Sequence, residues 1–227
     1  MDTTTAHAET RGRITAILRQ LSDAEADHTV PACPAWSVQQ LASHVVGVSA
    51  DILAGNLDDA GSDPWTEAQV NARAGRRLAE LADEWDEIGP QVESALADGA
   101  LPAQAVFDQV THEHDLRSAV GRPGAQSHPA VPIGLSFVVD AWPFVASSLD
   151  VPPLRIVAGD ATMVVGDNPE VTLMLGPFEA LRALTGRRST GQVRAYEWGT
   201  DPTPWLPAFT WGPFVPVPHD LIEPPTP

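Results

Sequence analysis

Apolar residues recur at steps of three and four along the first two thirds of the chain, the spacing of amphipathic helices. Ser37 stands where a helix N-cap belongs, and Gly55 follows the same apolar stretch. The pair Gly89-Pro90 is expected to kink or break the helix predicted over residues 65–98. The pattern predicts a loop over 30–37 and five helices, over residues 11–27, 38–55, 65–98, 102–121 and 131–149. The last of these is mostly apolar and is predicted to be buried, with a bend or an early end at Pro143.

The pattern changes near Val151, where short β-prone runs replace the helical spacing. The runs 154–157 and 162–165 are predicted to form a hairpin, and 171–176 a third strand or the start of a helix. A helix is expected over 177–185, followed from 201 by a proline-rich tail in extended form. We therefore predict an α+β protein. An up-and-down bundle of four main helices, with one extra helix packed on it, occupies residues 1–150, and a small α/β domain occupies residues 151–227.

The composition narrows the possible partners. The chain has 30 acidic and 13 basic residues, so its formal net charge is −17. This charge would repel nucleic acid and anionic membranes. Cys33 is the single cysteine, and neither a signal-peptide pattern nor an apolar run of about 18 residues occurs. A cytoplasmic protein without nucleic-acid or membrane partners is expected. The basic residues are all arginine, which indicates a high-GC genome.

Candidate chemistry begins with Asp108 and His112, which lie one helical turn apart and should share a face. Such a pair is common on solvated helices, but with His44 from a neighbouring helix it would form a site for zinc or another late divalent ion. By itself, His44 is more typical of a core or cleft histidine than of a metal ligand. His114 is two residues from His112 and should point elsewhere. Asp115 continues the stripe and could orient an imidazole.

Two segments carry a resemblance to a known family. VPACPAWSVQQLASHVVGV resembles the amino-terminal signature of the mycothiol-dependent maleylpyruvate isomerases, a branch of the DinB-like helical bundles, and its last histidine falls on His44. DQVTHEHDLRSAVGRP resembles the second signature, an acidic residue, three residues, then H-x-x-D-L-R-x-A-x-G-x-P. The matching positions are Asp108, His112, Asp115, Leu116, Arg117, Ala119, Gly121 and Pro123. The isomerases have glutamate where this chain has Asp108, which shortens that carboxylate by one methylene.

The resemblance implies a metalloenzyme that uses mycothiol as cofactor or co-substrate. His44, Asp108 and His112 would hold a divalent metal, zinc being the first choice, and Asp115 would support an imidazole. The reaction would be either S-transfer to an electrophile or thiol-assisted cis-trans isomerisation of a maleylpyruvate-like acid. The alternatives are a thiol-independent metal hydrolase, with Asp115 or Glu113 as general base, and a non-enzymatic metal-binding bundle. The protein could be a monomer or a homodimer.

Each of four further side chains has two possible roles. Arg187 and Arg188 could hold a substrate carboxylate, or they could be cations that decorate a helix C-terminus. Cys33 lies between prolines with no histidine near it in sequence, which favours a packed cysteine over a nucleophile. Trp36 is expected to anchor its loop on the bundle rather than to stack on a ligand.

Overall fold

The chain combines many helices with a small sheet, which confirms the expected α+β class. The computed structural model describes residues 1–101 and 104–223. Two compact units divide the chain, residues 1–133 and residues 134–223. The boundary expected near Val151, and the detailed likeness to a DinB-like bundle, stay predictions.

Six helices and a two-stranded ribbon lie in the described part of the first unit, which also contains the start of a seventh helix. They are α1 (Thr3–Leu18), α2 (Asp23–Ala26), β1 (Thr29–Val30), β2 (Cys33–Ser37), α3 (Val38–Ala54), α4 (Asp63–Ala72), α5 (Leu78–Ala97), α6 (Gln104–Ala119) and α7 (Ala130–Ala146). Helix α1 packs on α5 and α6, and α3 packs on the same two helices. The contacts therefore bring the two segments of the chain that carry the candidate histidines, α3 and α6, side by side.

Helix α3 follows its sequence signals closely. Ser37 accepts a hydrogen bond from the backbone of Gln40, and the Gln40 side chain accepts one from the backbone of Ser37, which forms a capping box. Gly55 ends the helix with a φ of 70°, a left-handed conformation in which a Cβ would be strained. The predicted range 38–55 is therefore confirmed. Helix α6 is described from Gln104 to Ala119, and its predicted start near Pro102 lies outside the described residues.

Three predicted boundaries in this unit are wrong. The first helix spans Thr3–Leu18 rather than 11–27, because Asp2 caps it and Ser22 starts the separate short helix α2. The expected helix over 65–98 is two helices, because Gly75 adopts a φ of 75° between α4 and α5, while Pro90 is accommodated inside α5. The expected loop at 30–37 contains strand β2, paired antiparallel with β1.

A buried ion-pair cluster joins α1 to α6. The Glu113 side chain is 1% exposed, and both of its oxygens accept hydrogen bonds from Arg13, at 2.8 and 2.7 Å. Arg117, one turn along α6, donates to Glu113 Oε1 at 3.0 and 2.9 Å. The Arg13 guanidinium also contacts the His128 ring at 3.0 Å. The apolar core beside this cluster includes Ile14, Leu18, Leu41, Val45, Leu81, Trp85 and Leu116.

The second unit contains a three-stranded sheet in the order β4-β3-β5. Strands β3 (Leu154–Ala158) and β4 (Ala161–Val165) form the predicted hairpin, and β5 (Val171–Leu175) pairs parallel with β3. Helices α8 (Pro177–Leu184) and α9 (Thr190–Arg194) follow. The tail differs from the extended form expected for it, because residues 203–209 form a 3-10 helix whose prolines already have a helix-compatible φ.

Most of helix α7 belongs to the second unit. The range 131–149 was predicted, and the helix runs from Ala130 to Ala146 with Pro143 inside it. Trp142 is fully buried and its indole nitrogen donates to the carbonyl of Ala208 at 2.7 Å. Phe144 is 82% exposed, so the helix is less completely buried than its composition suggested. None of the helices among the described residues has the length and apolar character needed to span a bilayer.

The buried cluster generates a prediction about stability. Glu113→Gln leaves Arg13 and Arg117 without a compensating charge, so we expect the free energy of unfolding to fall by about 3–5 kcal/mol. Urea denaturation followed by circular dichroism measures this. The matched control is Glu80→Gln, which removes the same charge from an exposed pair with Arg77 and should change stability little. Equal losses in the two variants would contradict a special role for the buried cluster.

Candidate metal centre

His44, Asp108 and His112 converge at the contact between α3 and α6. The Nε2 atoms of His44 and His112 lie 3.5 and 3.6 Å from Asp108 Oδ1, and the two imidazole centroids are 5.0 Å apart. The ligand atoms of all three lie within 4.8 Å of one another. A tetrahedral ion with bonds of about 2.0–2.1 Å would separate such atoms by about 3.4 Å. The group that the sequence selected therefore has spacings close to those of a metal site.

The His112 ring is oriented from its far side by Asp115. Asp115 is fully buried, and its Oδ2 lies 3.0 Å from His112 Nδ1. Because a carboxylate can only accept, Nδ1 carries the ring proton and the lone pair of Nε2 faces Asp108. This is the supporting geometry expected for Asp115.

The His44 ring is oriented by a hydrogen bond that no sequence pattern indicated. Its Nδ1 lies 2.7 Å from Gln69 Oε1, while Gln69 Nε2 donates to Asp51 Oδ2 at 2.6 Å. Asp51 fixes the orientation of the amide, so Gln69 must accept the Nδ1 proton of His44 and leave Nε2 with its lone pair. Gly47 gives Gln69 room, since a Cβ there would lie 2.5 Å from the Gln69 Cβ.

The hydrogen-bonded chain from Asp51 through Gln69 to His44 is called the relay below. The sequence contained a weak signal for part of it. Gly47 and Asp51 follow His44 at three and seven residues, on the same helical face. Gln69 comes from α4 and has no such spacing, because its position depends on the turn that reverses the chain after α3.

Two indole rings flank the His44 ring. The Trp36 ring lies 5.0 Å from that of His44 and 6.2 Å from that of His112, and Trp65 meets His44 edge-on at 6.4 Å. Trp36 also packs on the apolar core, as expected for an anchor. It additionally forms part of the wall of the candidate centre, which the sequence analysis did not foresee.

Cys33 is closer to a histidine than its sequence surroundings suggested. Its Sγ donates to Asp115 Oδ2 at 3.9 Å, and the ligand atoms of Cys33, His112 and Asp115 lie within 4.8 Å of one another. Strand β2 carries Cys33 there, with Val30 of β1 as its partner in the register. Cys33 also packs against the apolar core, in agreement with the expectation of a packed cysteine.

Burial favours the neutral form of the His112 imidazole. Removal of the ring from water lowers its pKa below the ordinary value, although the charges of Asp108 and Asp115 act in the opposite direction. The ring borders an apolar region lined by Leu41 and Leu116. A neutral imidazole is the form that binds a metal, so the burial favours that chemistry.

The two arginines that were candidates for substrate binding lie in the second unit. Arg188 pairs with Glu179 at 2.7 Å and with Glu223 at 2.6 Å, and these carboxylates raise its pKa against the effect of burial. Arg187 donates from Nη1 to the carbonyl of Thr185 at 2.7 Å and is 9% exposed. Their role in substrate binding stays a prediction.

Comparison with known proteins agrees with the resemblance seen in the two sequence segments. The family model described as the mycothiol maleylpyruvate isomerase N-terminal domain matches residues 7–128, more than half of the chain. Comparisons with curated proteins and with solved structures give no match. The matched range contains His44, Asp108 and His112 together with Cys33, Gln69 and Asp115. This chain belongs to the mycothiol maleylpyruvate isomerase N-terminal domain family.

Proposed function

We propose that this protein is a divalent-metal-dependent enzyme that uses mycothiol as cofactor or co-substrate. The observation that carries the proposal is the convergence of His44, Asp108 and His112, which offer two imidazole nitrogens and one carboxylate oxygen within 4.8 Å of one another. Zinc suits this donor set, and three protein ligands leave a position for an exchangeable group. A bound divalent ion supplies Lewis acidity, which favours the thiolate form of an incoming thiol.

The chain's own residues prepare the centre in three ways. Asp115 and Gln69 hold the two rings in the tautomer that presents Nε2. Trp36, half-buried, covers both rings and limits the access of water. Asp108 has a side chain that is 22% exposed, compared with 5% for His44, so the carboxylate marks the side from which solvent and small molecules reach the centre.

Two reactions remain open for the second substrate. One is transfer of the thiol sulfur to an electrophile, and the other is thiol addition to a cis-enoic acid, rotation about the resulting single bond and elimination of the thiol. The isomerase branch calls for a cation that binds the substrate carboxylate. Arg187 and Arg188 stay the candidates that the sequence offers, and the charge of Arg188 is already matched by Glu179 and Glu223.

A thiol-independent hydrolase is the less favoured alternative. It needs a general base near the centre, and the sequence offers Glu113 and Asp115. Glu113 accepts hydrogen bonds from both Arg13 and Arg117, so its oxygens are already engaged in the buried ion-pair cluster. Asp115 is fully buried against His112. A non-enzymatic metal-binding bundle would have the same ligands, and assays for turnover distinguish it.

Metal content tests the ligand set. We expect about one divalent ion per chain, and His44→Ala or His112→Ala should weaken binding by more than about 100-fold because each removes a direct ligand. Elemental analysis and competition with a chromophoric chelator measure this. His28→Ala removes an exposed imidazole of the same unit and should leave the metal content unchanged. A His112→Ala protein that retained its metal would rule out the proposed centre.

The relay through Gln69 has a separate expected effect. Gln69→Leu keeps the side-chain size but removes the acceptor for the Nδ1 proton of His44, so metal affinity should fall by about 10–100-fold, less than for loss of the ring. The same chelator competition reports the change. Circular dichroism identifies any loss of folding. An unchanged affinity in a folded Gln69→Leu protein would show that the tautomer of His44 is set in another way.

Dependence on the thiol tests the reaction class. The metal-loaded protein should consume mycothiol in the presence of an electrophile, or isomerise a cis-enoic diacid only when mycothiol is added. Disappearance of free thiol indicates transfer to the electrophile, and a change in the ultraviolet absorbance of the enoic acid indicates isomerisation. Turnover of an ester or amide without thiol would instead support the hydrolase. Absence of turnover across the whole screen, with metal bound, would favour the non-enzymatic alternative.

A further inference from the structure

We propose that Cys33, Asp115 and His112 form a second metal position, suited to a thiophilic divalent cation such as Cd²⁺, that competes with the first position for the His112 imidazole. This second position lies on the opposite edge of the same ring. It does not depend on mycothiol or on the reaction proposed above.

The spacing of the three donors suits one ion. Asp115 Oδ2 lies 3.0 Å from His112 Nδ1 and 3.9 Å from Cys33 Sγ. A tetrahedral ion with a metal-sulfur bond of about 2.3 Å and metal-oxygen and metal-nitrogen bonds of about 2.1 Å separates sulfur from oxygen by about 3.6 Å, and nitrogen from oxygen by about 3.4 Å. Each observed distance differs from these values by a few tenths of an ångström. Small rotations of the side chains would therefore close the site.

The local structure holds these donors in place and leaves a route to them. Asp115 is fully buried and His112 is 7% exposed, both on α6. Cys33 is half-buried on β2, which pairs with β1, and β1 packs on α6. The thiol is thus the donor that an ion from solvent meets first, while the carboxylate beneath it supplies the compensating charge.

Competition follows from the chemistry of a neutral imidazole, which has one lone pair. In the first position Nε2 would donate that lone pair while Nδ1 keeps its proton and faces Asp115. In the second position Nδ1 donates the lone pair, the ring proton moves to Nε2, and Asp108 Oδ1 at 3.6 Å becomes the neighbouring acceptor. The Cys33 thiol releases its proton to solvent when it binds the ion. Occupying both positions would require loss of the single N–H proton of the neutral ring, which would convert it to an imidazolate.

The ligand sets predict different preferences. A thiolate is a soft donor that binds Cd²⁺ more strongly than it binds harder ions. The first position has two nitrogens and one oxygen and lacks sulfur. Cd²⁺ should therefore favour the Cys33 position, at the expense of the support that Asp115 gives to His112.

A titration of the full chain with Cd²⁺, followed by ultraviolet absorbance, tests the proposal. The native protein should develop a thiolate-to-cadmium charge-transfer band that saturates at one ion per chain. Cys33→Ser should abolish the band and weaken Cd²⁺ binding by at least about tenfold, while its affinity for Zn²⁺ stays close to that of the native protein. His44→Ala should keep the band although it loses the first position. Cys33→Ala replaces Cys33→Ser if the latter does not fold.

Three outcomes would overturn the proposal: the absence of the band in the native protein, undiminished Cd²⁺ affinity in folded Cys33→Ser, or loss of the band in folded His44→Ala. Saturation at two ions per chain would overturn the competition. These results are independent of the first position, because failure of Zn²⁺ to bind the native protein would leave the cadmium titration intact. Conversely, native Zn²⁺ binding with no cadmium-thiolate band would remove the second position alone.

Discussion

The imidazole of His112 is the group around which the candidate centre is organised. It is buried between two carboxylates on its own helix, Asp108 one turn before it and Asp115 nearly one turn after it. Burial favours the neutral ring, and a neutral ring has one proton and one lone pair to distribute between these neighbours. The state of the centre therefore depends on which nitrogen carries the proton. Asp115 and Cys33 act on one edge of the ring, and Asp108 and His44 on the other.

Such an arrangement requires a helix that is polar and yet buried. Residues 109 and 111–115 of α6 are all polar and all less than 9% exposed, so each must be compensated by a neighbouring group. Glu113 is neutralised by Arg13 and Arg117, and Gln109 contacts the His7 ring, which is itself 1% exposed. These contacts fix the rotation of α6 about its axis. The same rotation directs His112 and Asp108 toward α3.

The sequence was sufficient to place the three main donors because helical periodicity is a local property. The four-residue step predicted that Asp108 and His112 share a face, and the capped apolar stretch after Ser37 predicted the helix that carries His44. The signals failed where the outcome depends on distant parts of the chain. Gln69 reaches His44 through a turn that has no periodicity. The break at Gly75 was missed because the charged residues around it are good helix formers, whereas glycine readily adopts the φ of 75° found there.

Cys33 is a second example of a contact that local sequence patterns do not predict. The flanking prolines indicated a loop, since proline lacks a backbone donor, and Cys33 was expected to be a packed cysteine of that loop. Pairing with β1 instead converts the segment into an edge strand, where Pro34 is tolerated, and delivers the thiol to α6. The interaction spans 82 residues of sequence, beyond the reach of any local pattern.

The departure of Asp108 from the glutamate of the resembling isomerases bears on the geometry of the centre. A carboxylate shorter by one methylene could have been too far from one of the rings. Asp108 Oδ1 instead lies almost equally far from the two Nε2 atoms, at 3.5 and 3.6 Å, so the shorter side chain still faces both. This is because α3 and α6 pack directly against each other, and Asp108 and His112 share one helical face. The aspartate is thus compatible with the same three-donor centre, with its carboxylate close to the backbone of α6.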